Sequence, residues 1–102
     1  MQNKKGYKTM KKVINRKTYD TETAQPIEYY TNGVRVGDYY HMSEILYRKD
    51  DGEYFLHCRG GAGTCYAKHY KNLSNVAGEH IIPITEERAN EWLEFYKNRY
   101  KD

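Results

Sequence analysis

Between Tyr54 and Tyr70 the chain reads YFLHCRGGAGTCYAKHY, which holds both cysteines, two of the four histidines and three of the eight glycines. These are the residue types that bind metals, attack carbonyls or cradle phosphates. As zinc ligands, His57, Cys58, Cys65 and His69 are poorly spaced. Structural zinc knuckles pair their ligands two to four residues apart, whereas His57 and Cys58 are adjacent on a predicted strand and point to opposite faces. The spacing therefore argues against a metal, and no cofactor is expected. A Cys58–Cys65 disulfide is sterically reachable, but reduced thiols are the expectation in a reducing cytosol. CRGGAGTC is not a P-loop, because no Lys precedes Thr64 and a β-like CYAKHY follows where a helix is required. An anion nest beside Arg59 remains as a weak signal. GGAGT is not a nucleophile elbow. The glycines are best explained by backbone geometry: a sharp bend, positive φ or close strand approach.

These residues must be positioned by a small domain. One hundred and two residues bury a thin core, so function should use the outside or a shallow cleft. Twelve tyrosines exceed what that core needs, and tyrosine makes good contact surface. The first seventeen residues carry seven Lys or Arg and no acid; the remainder carries ten basic against fourteen acidic residues. The chain is thus a mildly acidic body behind a basic arm, residues 1–12 reading as flexible and 13–102 as a single α+β domain. No apolar run approaches membrane-spanning length and no hydrophobic segment follows the basic N-terminus, so a cytoplasmic setting is expected.

Along the body, β-branched and aromatic residues alternate with polar ones. Val13–Tyr19 and Ile27–Thr31 read as strands, with Pro26 marking an edge and Asn32-Gly33 a turn. EILYRK and EYFLHCR flank Asp50-Asp51-Gly52 as a hairpin with a three-residue loop. TCYAKHY reads as a resumption of the sheet and HIIPI as a short buried strand. Residues 85–100 form the one convincing helix: Thr85 caps it, Glu86 and Glu87 suit its positive end, and Ala89, Trp92, Leu93, Tyr96 and Tyr100 make one apolar stripe with Trp92 as its main plug. The expected architecture is an antiparallel sheet of four or five strands with this helix packed across it.

The blocks VINRKTYDTETA (13–24), LYRKDDGEYFLHCRGGAGTCYAKH (46–69) and IIPITEERANEWLEF (81–95) resemble, in the same order, a family of short proteins of Gram-positive bacteria, their phages and mobile elements. Its pattern runs VINGKxYDTETA, YRTxxGxYFLxGxGGAxTxYA and IIPLTxEEAxEWxE. The chain departs from it at Arg16, which replaces a glycine and should relax or move a tight turn. Cys58, Cys65, His69 and the basic residues 1–10 also lie outside the pattern. The resemblance implies a small α+β protein of a mobile element. Short non-enzymatic products of such elements are often inhibitors of host defence, anti-CRISPR proteins foremost.

Three functions are compatible with these residues. The first is a non-enzymatic inhibitor that binds a CRISPR effector nuclease, Cas9-type first, or its guide RNA, with Asp50, Asp51, Glu53, Tyr29, Tyr30, Tyr39 and Tyr40 as contact residues. The acidic body is too weakly charged for wholesale DNA mimicry. The second is a nucleic-acid-binding or regulatory module using Lys4, Lys5, Lys8, Lys11, Lys12, Arg16 and Lys17 along a phosphate backbone. The third is a metal-free RNA-cleaving toxin built on two histidines. On each Tyr-Tyr pair, strand alternation predicts one exposed ring.

Overall fold

The computed structural model describes residues 9–69 and 75–101, the side chains of 97–101 excepted. It is an α+β fold with two antiparallel sheets and one helix. Strands β1 (Lys11–Ile14) and β2 (Lys17–Asp20) form a hairpin. Strands β3 (Gln25–Thr31), β4 (Met42–Arg48), β5 (Tyr54–Gly60) and β6 (Gly78–Ile84) form a four-stranded meander in that order, and α1 (Glu86–Lys101) follows. Pro26 sits on the edge strand β3, where its missing N–H costs nothing, and the register shifts between Pro26 and Glu28. At the β4–β5 turn Gly52 takes φ 92°, the left-handed position that closes a three-residue hairpin loop, and its N–H donates to Lys49 O at 2.9 Å.

Both faces of the central strands are covered, which is why β4 and β5 lack a polar face. Register places Phe55 and His57 of β5 beside Tyr47 and Ile45 of β4 on one face. There the β1–β2 hairpin lies over the sheet, and Tyr19, Ala24, Tyr47, Phe55 and Ile81 form the core cluster with Met10, Ile14 and Ile45 against it. Phe55 stacks on Tyr47 at 5.1 Å and meets Tyr19 edge-on at 5.5 Å. The opposite face carries Leu46, Leu56 and Cys58, and receives α1 through Ala89, which is fully buried, and half-buried Trp92, Leu93 and Tyr96. Thr85 Oγ1 accepts from Arg88 N at 3.1 Å, the expected cap. Tyr30 of β3 stacks on Tyr96 at 4.1 Å and fixes the helix at the sheet edge.

Four expectations need correction. Val13–Tyr19 is not one strand but two, folded back at Asn15 (φ 53°) and Arg16 (φ 69°). Positive φ at both central residues is the type I′ hairpin turn, whose twist matches that of its strands. The turn is therefore neither relaxed nor moved by Arg16; the arginine is held in a conformation that favours glycine. Arg16→Gly should raise stability by about 1 kcal/mol, read as a higher urea midpoint. Residues 61–69 do not resume the sheet: they turn, and make one isolated bridge, Lys68 to Val76. Lys11 and Lys12, read as arm, are β1 residues paired with Asp20 and Tyr19. Lys4, Lys5 and Lys8 lie outside the described residues, as does the side chain of Tyr100.

Candidate partner-binding surface

One end of the sheet is built by two loops that lock into each other. Asn32 starts the first: its side-chain oxygen accepts from Val34 N and Met42 N, and its Nδ2 donates to Tyr40 O at 2.9 Å. Asp38 Oδ1 accepts from Tyr40 N at 2.9 Å, and His41 Nδ1 donates to Val34 O at 2.8 Å. The glycine loop then docks on this one. Gly61 N donates to His41 O at 2.8 Å and Gly63 N to Tyr39 O at 2.9 Å. A β-carbon on Gly61 would lie closer than 3.0 Å to the backbone oxygens of Asp38 and Tyr39, and one on Gly63 would strike both tyrosine rings. Close approach, not positive φ, is thus what Gly61 and Gly63 provide.

The locked loops hold Tyr39 and Tyr40 outward, 57% and 60% exposed, with rings crossed edge-to-face at 4.8 Å and 87°. Both rings of this pair are exposed, against the alternation expected of a strand, because the pair lies in a turn. On β3 the rings do alternate, Tyr29 half-exposed and Tyr30 buried under the helix. Beside Tyr39 opens a cleft of about 640 Å³, whose walls include Asp38, Arg59, Lys68 and Glu79.

Asp50, Asp51 and Glu53 stand at the far end of β4 and are not brought together with Tyr39 and Tyr40. Asp50 and Asp51 are exposed, and Asp51 lies 3.8 Å from Lys49 Nζ. Glu53 is an anchor: it accepts from the Tyr19 hydroxyl at 2.5 Å and from Lys49 at 3.3 Å, with Lys17 at 3.7 Å. The Lys49 ammonium also rests over the Tyr19 ring at 4.4 Å. Lys11, Lys12, Arg16 and Lys17 are exposed on the covering hairpin, so acids and bases interleave here instead of forming a single-sign patch.

The Tyr19 hydroxyl and then Lys49 hold the Glu53 carboxyl below the usual glutamate range, while burial and the bond to Glu53 push Tyr19 up to about 12. A depressed carboxyl stabilises the fold above its unfolded pKa and loses that contribution as pH falls through its folded value; a raised phenol contributes below about 10 and loses it as pH rises further. Glu53→Gln should cost about 1–2 kcal/mol at neutral pH. In urea unfolding its gap from the parent should shrink below pH 4.

The cysteines and histidines of the opening stretch serve separate places. His57, on the hairpin face, donates to Glu79 at 2.6 Å; Cys58 is buried on the helix face; Cys65 is exposed; His69 donates to Asn75 at 2.8 Å. His80 Nε2 donates to Tyr66 O at 2.8 Å. Among the described residues no group of three His, Cys, Asp or Glu is placed to hold a metal. Burial pushes the Cys58 thiol up to about 12. An alkylating reagent at pH 8 should therefore modify Cys65 readily and Cys58 only after denaturation, as read by peptide mass analysis.

The network centred on Glu44 escapes a reading by motif. Buried on the helix face of β4, its carboxylate accepts from Trp92 Nε1 at 2.7 Å, from the Tyr96 hydroxyl at 3.2 Å and from the Tyr66 hydroxyl. Burial pushes the Tyr66 phenol well above the ordinary tyrosine value, so it stays a donor. Trp92 is thus a tether as much as a plug. The signal was present in MSEILYR, where Glu44 falls in phase with Leu46. Among the described residues no helix is long and apolar enough to cross a membrane. Comparison with known proteins finds no match: no family model, no curated protein and no solved structure is similar to the chain.

Proposed function

We propose that the protein is a non-catalytic binder that acts by occupying the surface of a macromolecule, and that its partner is a bacterial defence nuclease, a CRISPR effector of the Cas9 type first. The observation that carries this reading is the Tyr39–Tyr40 pair, two exposed rings pre-set by backbone bonds from two loops. Exposed aromatics held in place before binding make strong contacts at low ordering cost, the property of interface hot spots. The groups with reactive potential support the same reading by their employment: Glu44, Glu53, His57 and Tyr66 each hold the fold together. The sequence resemblance to mobile-element proteins supplies the class of partner.

A tagged chain tests this by co-purification with Cas9-type effectors, with and without guide RNA. Retention of an effector by the parent and its loss in the Tyr39→Ala, Tyr40→Ala double variant is the expected result. Failure to retain any of several effector types, in either state, contradicts it. The runner-up, a nucleic-acid-binding module, draws support from Lys11, Lys12 and Arg16, which are exposed on one hairpin. Replacing Lys11, Lys12 and Arg16 by glutamine would then abolish RNA and DNA binding while leaving any nuclease inhibition intact.

A further inference from the structure

The cleft beside Tyr39 is lined by two carboxylates, Asp38 and Glu79, and two cations, Arg59 and Lys68. Its two carboxylates are engaged: Glu79 with His57, and Asp38 with the N–H of Tyr40. Its two cations are not. Among the described residues, neither the Arg59 guanidinium nor the Lys68 ammonium has a hydrogen-bond or ion-pair partner. Both are nevertheless well placed. Arg59 is half-buried on β5, between its cross-strand neighbours Ser43 and Glu79. The Lys68 backbone is pinned by both bonds of its bridge to Val76, at 2.9 and 3.1 Å. Lys68 is exposed, and no described side-chain nitrogen is both buried and unbonded, so water reaches both cations. A ligand that brings oxygen acceptors would replace that water with charge-assisted bonds. The next surface is aromatic: Tyr39 lines the same cleft and Tyr40 crosses it.

An anionic, fork-accepting group followed within a few ångströms by a flat ring is the pattern of a nucleotide. From this we infer that the cleft binds single-stranded nucleic acid, one or two phosphates seated on Arg59 and Lys68 with a base stacked on Tyr39 or Tyr40. A protein carboxylate would satisfy the cations equally well, but it would leave the adjoining rings without a flat partner. The glycine loop has a consequence here, since the backbone it packs beside Asp38 and Tyr39 fixes the ring relative to the cations. The inference rests on the proposed reading only in placing the working surface at this end of the sheet.

Site-resolved NMR separates this cleft from the basic N-terminal segment in the full chain. On adding an oligouridine of about ten nucleotides, the amide resonances of Gly60, Gly61 and Gly78 should shift. In Arg59→Gln, Lys68→Gln they should stay in place while the rest of the spectrum keeps its dispersion. Affinity should fall on the order of tenfold in Tyr39→Ala, and the log–log salt slope should drop by about 1.4 in the Arg59, Lys68 double variant. RNA-induced shifts confined to residues before Lys17 would overturn the inference. So would shifts of the three glycines by a poly-aspartate peptide and not by RNA. If the oligouridine leaves the three glycines unmoved in a chain that co-purifies with an effector, the nucleic-acid site is refuted and the binding function stands. Cleft shifts with RNA in a chain that retains no effector give the reverse.

Discussion

Replacing Glu44 by leucine should lower the stability of the domain by about 3–4 kcal/mol, a fall in midpoint temperature of roughly 15–25 °C. The carboxylate is the common acceptor for Trp92 and Tyr96 of α1 and for Tyr66 of the glycine loop. Leucine fits beside Leu46 but leaves those donors without an acceptor, and the loss of each buried partner costs about 1–3 kcal/mol. The sum is not additive, because half-buried Tyr96 can turn toward water and the desolvation of the carboxylate is recovered. Glu44→Gln keeps one acceptor oxygen and should cost about half as much. Thermal and urea unfolding of both variants measures the effect. A loss below about 1 kcal/mol for leucine would mean that water satisfies the three donors.

Gly61→Ala should both destabilise the domain and disarm it. The added methyl meets the backbone oxygens of Asp38 and Tyr39, with no flexible side chain to yield, so one loop has to move away from the other. The bonds from Gly61 N to His41 O and from Gly63 N to Tyr39 O are then strained or broken. A cost of about 2–3 kcal/mol is expected from the overpacking. Binding falls as well: with Tyr39 and Tyr40 no longer pre-set, partner affinity should drop on the order of tenfold. Gly37→Ala is the matched control. Its φ of 95° makes alanine strained, about 1–2 kcal/mol, but nothing lies within 4 Å of the added carbon. The two variants should therefore lie within about 1 kcal/mol of each other in unfolding free energy, while only Gly61→Ala loses partner affinity.

What could be read from the residues follows from how local each determinant is. The helix is legible because its cap, its acidic first turn and its stripe are all written within sixteen residues. The β4–β5 hairpin is legible because Asp50-Asp51-Gly52 names its own turn. The β1–β2 turn is hidden: Asn15-Arg16 lacks the glycine that marks type I′ geometry, and the flanking residues alternate as a continuous strand would. Tyr39-Tyr40 looks like strand by composition, yet Asn32 and Asp38 bend the backbone into turns through side-chain bonds that composition does not show. The Glu44–Trp92 bond spans 48 positions, and no spacing rule reaches that far. The candidate surface was divided for the same reason. Tyr39-Tyr40 and Asp50-Asp51 are near neighbours in the sequence but stand at opposite ends of the sheet once β4 runs between them.

Surface occupation, as opposed to chemistry, is tested most directly by titrating the protein into a fixed amount of a sensitive effector nuclease and following DNA cleavage. Inhibition should rise linearly, end at a fixed molar ratio that does not change with incubation time, and vanish in the Tyr39→Ala, Tyr40→Ala variant. Complete inhibition at a small fraction of an equivalent, deepening with time and surviving the loss of both rings, would show that the chain turns over a substrate and would contradict binding as its mode of action.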